Sequence, residues 1–94
     1  MKYHLQITRH AERDIREAAD YIEFELYDPE ASERLLNEVD QRISDLLDYP
    51  LKYAKIEDPV LEKQGIRSFP VMNYVVFYLV SGNVIYILRF LHQR

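Results

Sequence analysis

The feature that most constrains this chain is a change of hydrophobic period near residue 50. Before it, apolar residues recur every three or four positions. Ala11, Ile15, Ala18, Ala19, Ile22 and Leu26 make one series, and Leu35, Leu36, Val39, Ile43, Leu46 and Leu47 make a second. After it, residues 66–72, 74–80 and 84–91 are dense in Val, Ile, Phe and Tyr. Spacings of three and four lay an apolar stripe along a helix, whereas β-branched and aromatic runs suit a pleated strand. A chain divided in this way folds as helices laid on a sheet.

The punctuation sharpens this reading. Residues 2–7 alternate, with Tyr3, Leu5 and Ile7 on one side and Lys2, His4 and Gln6 on the other, which predicts a short half-buried strand. Thr8 offers an N-cap hydroxyl to a helix over roughly residues 9–26, and Glu12 and Asp14 follow where the helix dipole favours anions. Asp28-Pro29 restarts the chain as a second cap and first turn, and Tyr49-Pro50 ends that helix. Two amphipathic helices joined so briefly form an antiparallel hairpin. Residues 51–64 lack a clear period and contain Pro59, so they read as a loop with one helical turn near 60–63. Asn73 and Ser81-Gly82-Asn83 supply turns between the last strands. Residues 74–80 are apolar at every position but Tyr, which indicates a central strand covered on both sides. The expected fold is α+β, β-α-α-β-β-β, with the helical hairpin on one face of a mostly antiparallel four-stranded sheet. The opposite face has no helix of its own and, with aromatic and basic residues, is the natural place for a partner.

Ninety-four residues suffice for one domain, spanning residues 1–94. Apolar residues at 48% and charged residues at 30% suit a folded chain rather than a disordered one. Without cysteine there is neither a disulfide framework nor a thiolate metal site. The first ten residues lack the apolar core of a signal peptide, and no apolar run approaches the ~18 residues of a membrane span. The chain therefore reads as cytoplasmic and soluble, with no membrane partner. The net charge of −4 hides an asymmetry: residues 1–50 balance at −7, with 6 basic against 13 acidic side chains, and residues 51–94 at +3, with 6 against 3. Such a split suggests one face for a cationic partner and one for an anionic partner, or acidic helices that simply face water.

Several segments, in order along the chain, carry a family resemblance. Tyr3-His4-Leu5-Gln6-Ile7-Thr8, then Ala11-Glu12-Arg13-Asp14-Ile15 and Tyr21-Ile22, resemble the opening of RelE/ParE superfamily toxins of type II toxin–antitoxin modules. So do Gly65-Ile66-Arg67, Asn73-Tyr74-Val75-Val76-Phe77-Tyr78 and the stretch from Val84 to Arg94. The resemblance implies a small toxin that stops growth and is neutralised by a cognate antitoxin. It also implies two mechanisms. RelE-like toxins cleave mRNA in the ribosome, and ParE-like toxins bind DNA gyrase. The fold alone does not choose between them.

RNA cleavage without a metal needs a group to activate the 2′-hydroxyl, cations for the phosphorane and an acid for the leaving oxygen. The resemblance implies catalytic residues near the C-terminus, where this chain offers Arg89, His92 and Arg94, and with Arg67 these make the candidate set. RelE-like nucleases carry an arginine directly after the aromatic residue that opens the central strand, and here Tyr74 is followed by Val75. Arg67 could hold a phosphate or a partner carboxylate, or pair with an acidic helix residue. Arg89 interrupts an apolar strand, which points to an exposed face or a partner. Tyr74 and Tyr78 are either core or stacking residues, and Lys52, Lys55 and Lys63 form a loose basic loop. His4 and His10 have no ligand-like spacing to His92, so no metal is expected, and no cofactor. Target-binding candidates are thus Arg67, Tyr74, Arg89, His92 and Arg94. Val75 and the acidic isoelectric point of about 5.3 favour a gyrase-binding toxin over a ribosome-dependent mRNA endoribonuclease. A toxin-like remnant kept as a partner of its antitoxin is the third reading. The antitoxin is expected across the acidic helical hairpin and along an exposed sheet edge.

Overall fold

A computed structural model describes residues 2–93. The first strand, β1, covers His4–Ile7. Thr8 then caps α1 (Arg9–Asp20), its Oγ1 accepting from the Ala11 N–H at 3.2 Å and its hydroxyl donating to the Leu88 carbonyl at 3.0 Å. The helix expected to run to residue 26 is interrupted. After Asp20 the chain widens into a π-helical turn, Tyr21–Glu25, in which the Leu26 N–H donates to the Tyr21 carbonyl at 3.1 Å. The extra residue in the hydrogen-bonded ring shifts the side chains that follow out of the α-helical stripe. Leu26, the last residue of that stripe, is left exposed, as Tyr21 and Phe24 are too, while Ile22 still packs on the core. Tyr27, at φ +54°, reverses the chain, and Asp28 accepts from the Ala31 N–H at 3.0 Å to start α2 (Pro29–Asp45).

The two helices approach through small residues. Ala11, Ala18 and Ala19 are buried, and the Ser32 hydroxyl donates to the Ala19 carbonyl at 2.8 Å. Replacing Ser32 by Ala should cost about 1 kcal/mol, the net worth of one buried hydrogen bond. Ser32→Leu should cost more, about 1–3 kcal/mol, because it overpacks the crossing. Urea unfolding midpoints would rank the two, and a Leu variant as stable as the Ala variant would contradict this account of the crossing.

The loop after α2 is held by Tyr53, whose ring stacks on Phe69 at 4.4 Å and whose hydroxyl accepts from the Arg42 guanidinium at 3.1 Å. Asp58 caps the short α3 (Pro59–Lys63), the helical turn expected in this loop. Three strands follow: β2 (Arg67–Val71), β3 (Tyr74–Ser81) and β4 (Val84–His92). The sheet order is β1-β4-β3-β2, antiparallel except for the parallel pairing of β1 with β4. Gly82, at φ +60°, makes the tight β3–β4 turn, where a side chain would be strained.

β3 lies centrally, as its composition implies. Its cover differs from the expectation, because both helices lie on one face. There Val76, Tyr78, Ile85, Ile87 and Phe90 meet Leu35, Val39 and Ile43 in one core. Val75, Phe77, Leu79 and Tyr86 on the other face are only half-buried, and no helix among the described residues covers them. Two helices joined by a three-residue reversal cannot straddle a sheet, so the second face stays open. A bulge places Arg89 opposite Phe77 while Ile87 pairs with Tyr78, leaving Leu88 as the extra residue. Strict alternation after Ile85 and Ile87 would aim Arg89 at the core. The bulge shifts the register and sends Phe90 there instead.

Candidate binding cleft

Asp14, Glu17, Ala18 and Tyr21 recur at helical spacing and so share one face of α1 and the turn after it. This face forms one wall of a cleft, and Tyr74 of β3 with Phe90, Leu91 and His92 of β4 forms the other. The cleft encloses about 410 Å³. Tyr74 and His92 are register partners across β3 and β4. The Tyr74 ring stacks on Phe90 at 4.7 Å, and the His92 ring meets it edge-on at 5.2 Å. Burial pushes the Tyr74 phenol up, and the neighbouring Tyr21 adds to this, so near neutral pH it is a hydrogen-bonding hydroxyl and not a phenolate.

At the rim, Asp14 binds Arg89 with both oxygens, at 2.7 Å to Nε and 3.1 Å to Nη2, and also accepts from the Phe90 N–H at 3.0 Å. Partial burial opposes the charge of this carboxylate. The Arg89 and Phe90 hydrogen bonds, with the positive charge of Arg89, outweigh that and hold it below the usual aspartate range. In return the guanidinium of Arg89 is pushed further up by Asp14 and, less strongly, by Glu17. The net charge of Asp14, Glu17 and Arg89 together is negative.

Of the candidate site residues, Tyr74, His92 and Arg89 are brought to this cleft. Arg67 is not. It lies on β2, paired with Tyr78, and its Nη1 donates to the Tyr53 carbonyl at 2.6 Å. One of its donors thus serves the loop, and among the described residues it makes no ion pair with a helix. Val75 faces the open side of the sheet, away from the cleft. Tyr78 is wholly buried, its hydroxyl donating to the Pro50 carbonyl at 3.0 Å, and burial pushes its phenol up, so it belongs to the core. Arg94 lies outside the described residues. Lys52 stands 5.3 Å over the Tyr53 ring, and Lys55 pairs its backbone with that of Arg67 in an isolated antiparallel bridge. Among the described residues no group of three His, Asp or Glu side chains is placed to hold a metal ion. A larger groove of about 670 Å³, lined by Tyr3 and the segment from Asp48 to Lys52, contains none of the candidate residues. Sequence reasoning missed Asp14, Glu17 and Tyr21 as cleft residues. Their spacing on one helix face beside the Ala18–Ile22 stripe is the signal that could have found them.

Comparison with known proteins agrees with this architecture. Residues 5–94 match the family model described as the ParE toxin of the type II toxin-antitoxin system, parDE. The chain belongs to this family, within the RelE/ParE superfamily. Its fold resembles that of the chromosomal ParDE toxin–antitoxin system from P. aeruginosa. There the TM-score is 0.80 and the identity 22%, over 99% of this chain and 98% of that one. It also resembles the RelBE2 toxin-antitoxin complex from Mycobacterium tuberculosis, with a TM-score of 0.66 and 20% identity, over 99% and 100% of the two chains. No curated protein matches the chain. Among the described residues, no helix is long and apolar enough to cross a membrane.

Proposed function

We propose that this toxin arrests growth in the cytoplasm by binding a protein target, DNA gyrase, rather than by cutting RNA, and that a cognate antitoxin neutralises it. The observation that carries this reading is the Asp14–Arg89 contact. A nuclease needs its cations turned toward the phosphorane. Here the strand arginine nearest the cleft has two of its donors on a carboxylate, and the second candidate, Arg67, donates into the loop. Val75 supplies no replacement. A cleft of net negative charge also repels a phosphate chain, whose contacts dominate nucleic-acid affinity.

Inducible expression of the chain, followed by mapping of both mRNA ends and DNA breaks in the same cells, tests this proposal. Growth arrest with gyrase-linked DNA breaks and intact mRNA is expected. Cuts at fixed codon positions that vanish in Arg89→Ala and His92→Ala would overturn it in favour of the endoribonuclease. Unimpaired growth would instead indicate a remnant.

A further inference from the structure

We propose that the cleft between α1 and the ends of β3 and β4 receives one cationic side chain, an arginine, from the protein partner of this toxin. The inference rests on the cleft being a protein-binding site and adds the chemistry of what enters it.

Three features point the same way. The first is the charge balance. Asp14 is already matched by Arg89, which leaves the Glu17 carboxylate with no hydrogen bond or ion pair to any described residue. The second is the lining. Tyr21 and Tyr74 supply two aromatic rings, and rings of this kind attract a desolvated cation. A flat guanidinium suits such walls better than a compact ammonium does, since it stacks on a ring and still donates in its own plane to a carboxylate. The third is size. About 410 Å³, open to solvent, is room enough for one long side chain. Tyr21 stands exposed at the start of the π-helical turn, so its ring is available. A phosphate fits poorly, since Glu17 would face it and Arg89 is engaged elsewhere.

The test titrates the full-length toxin with N-acetyl-arginine methylamide, the glutamine analogue and inorganic phosphate, following backbone and aromatic NMR shifts. The arginine probe should perturb Tyr21, Tyr74 and His92 with millimolar affinity, and the glutamine analogue should not. Glu17→Gln should weaken binding about fivefold, and Tyr21→Leu about two- to fivefold, as one charge contact and one cation–ring contact allow. Glu62→Gln, on α3, is the control and should change nothing. Both cleft positions are partly or fully exposed, so the variants are expected to keep the wild-type spectrum elsewhere. The proposal is overturned if the arginine probe shifts the acidic face of α2 as strongly as the cleft. It is also overturned if Glu17→Gln binds like wild type, or if phosphate is the probe that enters. This outcome is independent of the target. An mRNA-cutting toxin whose cleft still binds the arginine probe would overturn the gyrase proposal and leave this one standing.

Discussion

Phe90→Ala should lower the free energy of unfolding by about 3–5 kcal/mol, the cost of deleting a buried aromatic ring from a packed core. The side chain is 2% exposed, faces the core only because of the bulge before it, and backs the Tyr74 ring at 4.7 Å. A domain of this size is stable by about 5–15 kcal/mol, so the loss would take a large part of what holds it folded. Phe90→Leu keeps most of the volume and should cost less, about 1.5 kcal/mol or below, while still removing the stacked pair. Chemical denaturation of both variants checks this. Equal losses would mean that the ring stack, and not the filled volume, dominates. In either variant the Tyr74 ring loses its flat support, so the cleft wall should loosen even where the fold survives.

The second large effect is expected at Asp14. Its carboxylate joins α1 to β4 through Arg89 and the Phe90 N–H. Asp14→Ala removes the acceptor from both, and should cost about 1–3 kcal/mol at neutral pH. The pH dependence follows from the lowered pKa in the folded state. Between the folded and unfolded values the unfolded chain binds more protons, so stability rises with pH across that window. The contribution of Asp14 is fully present above the unfolded value of about 4 and is lost as pH falls through the lower folded value. In Asp14→Ala this part of the acid limb should be missing, so the variant and wild-type curves should converge as the solution is acidified. A constant gap down to the lowest pH would show that the carboxylate charge is not what the contact depends on.

The parts of this fold set by short-range pattern were legible in the sequence. The capping of α1 by Thr8 and of α2 by Asp28, with Pro29 in the first turn, follows from local chemistry. So do the three closing strands and their turns. What escaped depends on residues far apart in the chain. Asp14 reads locally as an acid that suits a helix start, yet its partner is 75 residues away. Arg67 reads as an available cation, and only the folding of the loop brings the Tyr53 carbonyl to it. The π-helical turn escaped because Ile22 and Leu26 fit an α-helical stripe well enough to conceal one extra residue. The bulge was concealed likewise, since Leu88 and Arg89 look like any apolar–polar step until the pairing with Phe77 is known.

β1 has four residues and β4 has nine, so the far end of β4 outruns its neighbour. Bare main-chain groups along such a rim would recruit any extended chain in solution, including another copy of the same protein. Two side chains stand guard over this one. The Thr8 hydroxyl covers the Leu88 carbonyl, and the Asp14 carboxylate covers the Phe90 amide, each taking the place a further strand residue would have filled. The contact that restrains Arg89 thus also keeps the rim from sticking, and weakening it should show as self-association as well as lost stability.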